Sequence, residues 1–362
     1  MIHSRILPKA VTRFRHVGRA KRTITEIAVI VAVAILGTHL TFISHAASPA
    51  TSVEAVAGAL TGGATIVSDP SASGGKAVQF RRVVNIVNVP SGEAMPTGNL
   101  PGFRQIYSTD FSQYNVPLGS FSNCSATTLS CSGLSSYGGI QNYITDYPDG
   151  WPDTEGNNDP SSPGACYYYP SETLSVTGGL LNMFIHTDSD NRCVTAVPEP
   201  ILPTADQVTP GSNAQLYGEY SVRMRSDAIP GYLAAFLLWP ADQNWPHDGE
   251  IDFPNSELTG NAGAYMHHEG GTSGGDQDAY SSNTTYANWH TYTIIWTPSY
   301  VKFEIDGTVI GDSTVPAEIP NTPMYWVLQT EGDISTSKPS ASTKGNLQIA
   351  WATIYAYDPS VK

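Results

Sequence analysis

Gly249-Glu250-Ile251-Asp252-Phe253-Pro254-Asn255-Ser256-Glu257 is the stretch on which the reading of this chain turns. In an extended strand alternate side chains share a face, so Glu250 and Asp252 point one way while Ile251 and Phe253 point the other. The result is a carboxylate pair on an apolar backing. Lone acids on the solvent face of a strand are commonplace, but this pair follows Leu237-Leu238-Trp239-Pro240 and Trp245-Pro246, with His247 and Asp248 between. Apolar residues on both sides, Ala234 to Trp239 and Phe253, mark a central strand rather than an edge.

Outward from that strand the pattern repeats. Short alternating runs rich in β-branched and aromatic residues recur at Thr173 to Val176, Leu180 to His186, Gly218 to Arg225, Tyr292 to Thr297, Val301 to Ile305 and Leu347 to Tyr355, separated by Gly, Pro, Asn and Asp. No comparable run has a helical period. Many short strands with turns between them predict an all-β sandwich or barrel. Val301 to Ile310 is the clearest hairpin, turning at Asp306-Gly307, a pair that supplies the positive φ a tight turn requires. Roughly 260 residues from Phe103 suit one large β domain.

The N-terminal part has a different character. Seven basic residues, Arg5, Lys9, Arg13, Arg15, Arg19, Lys21 and Arg22, precede an apolar run from Ile27 to Ile43 and then Ser44-His45-Ala46-Ala47. This is the pattern of an export signal cut after Ala46. About 17 apolar residues also approach the length of a spanning helix, so an uncleaved anchor is the alternative. Residues 47–102 are rich in Ala, Ser, Gly, Thr and Pro and read as a linker or pro-segment, with one apolar patch at Val83 to Val89.

Removing residues 1–46 takes seven of 18 Lys and Arg but one of 32 Asp and Glu, leaving 11 basic against 31 acidic residues, a charge of about −20. Such a surface repels phosphate backbones, which argues against nucleic acid as a partner, and a neutral polymer suits it better. The four cysteines, Cys124, Cys131, Cys166 and Cys193, all lie beyond the signal, where disulfides persist. The expected pairing is local, Cys124 with Cys131 and Cys166 with Cys193, each flanking a turn-rich segment. Gly271-Thr272-Ser273-Gly274-Gly275 fits G-x-S-x-G but no helical run follows it as an elbow requires, and no H-E-x-x-H motif or phosphate loop is present, which disfavours esterase, metalloprotease and nucleotide-binding chemistry.

Several segments in order carry a family resemblance. Gly249 to Pro254 resembles the active-site strand of glycoside hydrolase family 16, the laminarinase and lichenase group. Asn288 to Pro298, Pro323 to Thr330 and Ile349 to Tyr355 are similar to that family's later strands. The resemblance covers about residues 103–358. It implies a concanavalin-like β-jelly-roll sandwich of two antiparallel sheets with a concave substrate cleft, and a secreted, endo-acting retaining hydrolase of β-glucans with β-1,3 or mixed linkages. The implied partner is polysaccharide. A monomer without cofactor is expected, with no metal ligands assignable, although the family resemblance allows a structural calcium ion.

Carried over residue by residue, Glu250 matches the nucleophile and Asp252 the assisting carboxylate. The acid/base glutamate falls four residues after the nucleophile, or five where a β-bulge inserts one. Those positions are Pro254 and Asn255; proline suits a bulge, so Asn255 takes the seat. Its amide has no proton to give. Three alternatives stay open: Glu257, some 6 to 7 Å further along the strand, bends back as the acid; a loop acid such as Glu269 or Asp276 serves; or the site only binds sugar. Trp239, Trp245, Gln329 and Glu331 are expected at the cleft together with Asn255. One of His267 and His268 should face it, the other away. Trp296 and Trp351 are expected in the core. Arg223 and Arg225 either pair with the cleft carboxylates or face solvent.

Overall fold

The computed structural model describes residues 64–68, 76–80, 89–333 and 338–362. The chain divides into two compact units, Met1–Asn85 and Ile86–Lys362. Of the first, a single antiparallel hairpin is described, Ala64–Ser68 against Lys76–Phe80. The expected export signal at 1–46 lies outside the described residues, as does the Val83 to Val89 patch up to residue 88. Among the described residues no helix is long and apolar enough to cross a membrane. The second unit begins before the boundary expected at residue 103. Trp351 Nε1 donates to the Glu93 carbonyl at 3.1 Å, and Arg223 Nη2 donates to the Ser91 carbonyl at 3.0 Å, fixing this leading segment to a sheet.

Beside two short two-stranded sheets, two large ones dominate the second unit. The smaller has five antiparallel strands in the order Gln277–Thr285, Asn261–His267, Glu250–Glu257, Tyr232–Pro240 and Met324–Gly332. The larger is centred on Gly218–Ser226, flanked by His290–Trp296 and Lys344–Tyr357. It extends on one side through the hairpin Val301–Ile305 and Thr308–Ser313, and on the other through Leu180–Thr187. Its short pairing of Val194 and Thr195 with Tyr167 and Tyr168 is parallel. Asp306 and Gly307 sit at φ 50° and 75°, the left-handed values that the Asp-Gly turn predicts.

Alternation explains how the layers close. On Tyr232–Pro240, Ala234, Phe236 and Leu238 point into the main core, while Leu233, Ala235 and Leu237 belong to a separate apolar cluster on the opposite face with Val327. Ile251 and Phe253 are buried, and the Phe253 ring meets Tyr292 and Phe303 of the larger sheet, each with centroids 5.5 Å away. Trp296 and Trp351 are fully buried, as expected of core residues. The result is a β-jelly-roll sandwich whose five-stranded sheet presents its far face as a concave groove. Both expected disulfides are present, Cys124 to Cys131 and Cys166 to Cys193.

Candidate active site

The groove encloses about 820 Å³, and Glu250, Asp252 and Asn255 all line it. Gly249 makes the entry to this strand possible. Its φ is +70°, and a Cβ there would lie 2.5 Å from the His267 carbonyl oxygen, so no side chain fits between the two strands. Glu250 and Asp252 then face the groove on a strand paired on both sides, with Glu250 opposite His267, Asp252 opposite Tyr265, and Asp252 opposite Leu237. Between Asp252 and Asn255 the strand takes one residue more than its neighbour, since Leu237 and Ala235 are their partners. This bulge at Phe253-Pro254 returns Asn255 to the groove face, where the sequence places it.

Burial and the adjacent Asp252 charge push the Glu250 carboxyl well above the usual carboxylate range, while the Trp245 indole pulls it down by hydrogen bonding. The charge of Glu331 adds to the rise. Glu250 and Asp252 are hydrogen-bonded to each other, so the pair retains a proton at mild acidity. His267 closes the triangle, its Nε2 3.4 Å from Asp252 Oδ2 and 3.9 Å from Glu250 Oε2. A carboxylate that must attack carbon has to lose this proton first, so attack is favoured as the pH rises through the raised range of Glu250.

Aromatic rings flank the carboxylates. Trp239 and Trp245 stack at 6.1 Å with an interplanar angle of 17°, and the Trp239 indole is held by Gln243 at 2.9 Å. Trp245 keeps 39% of its surface exposed. Sugar rings present flat C–H faces that such indoles can cover. Gln329 and Glu331 also line the groove, as expected.

Sequence reasoning missed one wall entirely. Trp151, Pro152, Asp153, Thr154, Asn157 and Asn158 line the groove from an irregular segment that carries the short helix Thr154–Asn158. Asp153 caps that helix, its Oδ1 accepting from Gly156 N at 2.8 Å and from Cys166 N at 3.1 Å. Thr154 N donates to Glu331 Oε2 at 3.1 Å, tying the wall to the Met324–Gly332 strand. Gly332 allows the closest approach, because a Cβ there would fall 2.6 Å from Cys166 Sγ. Burial raises Glu331 to about 7, with Asp153 adding repulsion and Thr154 lowering it. The exposed Trp151 packs against Tyr147 at 5.5 Å and offers an indole to the groove. The only signal in the sequence was the Asp-Thr-Glu cap before a segment with no periodicity.

Two expected site residues are not brought together with the rest. His268 turns away and pairs with Asp278 at 3.3 Å, because adjacent strand residues face opposite sides; His267 alone faces the groove. Glu257 is also displaced. It pairs with Leu233, while Ile251 pairs with Leu238, so six residue steps of the Tyr232–Pro240 strand, roughly 20 Å, separate it from Glu250. Two side chains reaching toward each other cannot close that span to the roughly 5 to 5.5 Å of a retaining pair. The Glu257 carboxylate instead accepts from Gly231 N at 3.1 Å. The loop acids fail as well. Glu269 accepts from Asn321 N and Asp276 from Thr272 and Ser273 N, and neither lines the groove. Arg223 and Arg225 belong to the larger sheet, pairing with Glu93 and Gln348.

Two clusters among the described residues could converge on a metal ion, Glu250-Asp252-His267 and His247-Asp248-Glu269. Calcium requires six to eight oxygen ligands, and neither trio supplies them. In the second cluster, both Asp248 oxygens are already occupied by Asn244, His247 and Thr322. These residues do not fit a structural calcium ion.

Fold and groove together define a concanavalin-like jelly roll with a buried carboxylate pair in its concave sheet. The family model for glycosyl hydrolases family 16 matches residues 204–353 of this chain. Curated relatives include the endo-1,3-1,4-beta-glycanase ExsH of Rhizobium meliloti, 24% identical over 41% of this chain and 32% of that protein. Congo red hypersensitive protein 2 of Saccharomyces cerevisiae is 26% identical over 46% of this chain and 34% of that one. The matches thus span about a third of these relatives' length. Among solved structures, the endo-1,3-beta-glucanase from Streptomyces sioyaensis superposes over 73% of this chain and 100% of its own, with a TM-score of 0.52 and 19% identity. The laminarinase from Rhodothermus marinus covers 72% of this chain and 99% of its own, with a TM-score of 0.50 and 17% identity.

Proposed function

We propose that the groove binds a β-glucan chain with β-1,3 or mixed linkages outside the cell, and that Glu250 attacks an anomeric carbon to form a covalent glycosyl-enzyme. The observation that carries this reading is the Glu250-Asp252-His267 cluster at the floor of an aromatic-walled groove in a family 16 sandwich. Asp252 holds the Glu250 carboxyl in place by their hydrogen bond. His267 orients the pair from the neighbouring strand. Trp239, Trp245 and Trp151 supply stacking surfaces, and Gln329 offers an amide to sugar hydroxyls. Endo action and the glucan substrate rest on the activities in the relatives' names. Secretion rests on the export pattern of residues 1–46, and we take the active form as a monomer.

A second reading has its own support. Asn255 occupies the acid/base seat, which favours a protein that binds glucan without turning it over. The two separate by trapping. Incubation with a 2-deoxy-2-fluoro glucoside or laminaribioside carrying a dinitrophenyl leaving group, which departs without protonation, should add one glycosyl mass to the peptide containing Glu250. Glucan binding with no such adduct would leave the binding reading standing and remove the enzymatic one.

A further inference from the structure

Glycosyl transfer through a covalent intermediate divides into an attack that needs a carboxylate and two proton movements that need an acid and then a base. The groove holds the first part and lacks the second. Glu250 is in place, whereas Asn255, the next groove-facing residue of its strand, cannot release or accept a proton at ordinary pH. Glu257 is turned to Gly231. Glu331 sits two strand spacings, roughly 10 Å, across the sheet from the Glu250–Glu257 strand and is bonded to Thr154. Of the other groove-lining carboxyls, Asp252 is bonded to Glu250 itself and Asp153 accepts from the Gly156 and Cys166 amides, so none occupies the seat that Asn255 holds.

We propose that this chain transfers glycosyl groups to acceptors that are already anions. It would take sugar only from donors whose leaving group departs unprotonated, and pass it to small nucleophiles that need no base. This rests on Glu250 being the nucleophile, as proposed above. In the first step Glu250 Oε bonds to the anomeric carbon while the bond to the leaving group breaks, and that group departs with the electron pair as fluoride, phenolate or carboxylate. In the second step an anion such as azide, formate or a thiolate bonds to the same carbon, the ester to Glu250 breaks, and the electron pair returns to the carboxylate. No proton passes through residue 255 in either step. Asn255 assists by what it is: a neutral carboxamide that donates hydrogen bonds and does not repel an incoming anion as a glutamate would. Two inversions leave the product with the configuration of the donor.

The test uses the full chain with dinitrophenyl β-laminaribioside and, separately, with laminarin. A burst of dinitrophenolate followed by a slow steady state is expected, because water meets the ester without a base. Added azide should raise the steady rate by about a hundredfold, the usual scale of a missing general base, and yield the β-glycosyl azide. Asn255→Glu should gain laminarin cleavage by a similar factor and lose the azide effect. The azide response of the unaltered chain stands whether or not that variant folds. A burst with no azide response, or laminarin cleavage by the unaltered chain as fast as by Asn255→Glu, would overturn the proposal while leaving Glu250 as nucleophile. No burst and no adduct at Glu250 would remove the nucleophile itself, and the proposal with it.

Discussion

The two halves of one strand behave differently. From Glu250 to Asp252 the side chains are buried, and the backbone is paired with Asn261–His267 throughout and with Tyr232–Pro240 at Ile251 and Asp252. From Asn255 to Glu257 the pairing is with Tyr232–Pro240 only, after a bulge, and the side chains are half-buried. A carboxylate in the first half is held by a lattice of neighbours and acquires an altered proton affinity. A side chain in the second half has room, so Asn255 costs the fold little, and Glu257 can turn outward to a loop amide. Position relative to the bulge, more than residue type, decides which acids of this strand can do chemistry.

The contrast should be most visible in substitutions of equal size. Glu250→Gln removes the proposed nucleophile while keeping its volume, and is expected to bring dinitrophenolate release from an activated donor down to the uncatalysed background. Retained release above that background would break the comparison, because another group would then be attacking. The same assay sharpens it through pH. Glu250 is held above the usual carboxylate range by burial and by Asp252, so the burst rate should climb as pH rises past about 4.5. Neither the Asn255 amide nor Asn255→Glu should add a descending limb to this burst, whose leaving group needs no proton, whereas laminarin cleavage by Asn255→Glu should show one.

The groove wall provides the next effect in size. Glu331 is raised by burial to about 7, and so is Glu199, which lies outside the groove and accepts from Asn213. A carboxyl whose folded pKa is raised stabilises the fold fully below its unfolded pKa, near 4.5, and that contribution is lost as pH rises through 7. Each could weigh on the order of 3 kcal/mol by pH 8. Thermal unfolding is therefore expected at a higher temperature at pH 5 than at pH 8, with Glu331→Gln narrowing the difference. An equal pH response in that variant would show that Glu331 is not one of the groups responsible. Trp151→Ala, on the same wall, should weaken laminarin-oligosaccharide binding by about 1 kcal/mol, roughly fivefold, as measured by calorimetry.

The sandwich, its hairpin and the groove-facing carboxylates were legible because period-two alternation encodes them directly: Ile251 and Phe253 could face only the core if Glu250 and Asp252 faced the groove. The bulge was legible through Pro254. The wall was not, because Trp151 to Asn158 owe their position to the Asp153 bond to Cys166 and the Thr154 to Glu331 bond, long-range contacts without local periodicity, with only the Asp153 cap encoded locally. Parity alone put Glu257 on the groove face and left His267 and His268 undecided. Register settled both, and register depends on how the neighbouring strands align rather than on the strand's own residues.

Glu257→Gln is expected to have the smallest effect of all. Its carboxylate accepts from Gly231 N on a partly exposed surface, and an amide oxygen of the same shape can accept the same bond. The loss should be at most about 1 kcal/mol of stability, read as a small drop in the unfolding midpoint. Burst amplitude, steady rate and azide response should all stay within twofold of the unaltered chain, in contrast to the collapse at Glu250→Gln. A large kinetic loss here with stability preserved would mean that the strand bends back toward Glu250 when sugar is bound. The second half of the strand would then supply the missing acid after all, and the distinction between its two halves would hold only for the empty groove.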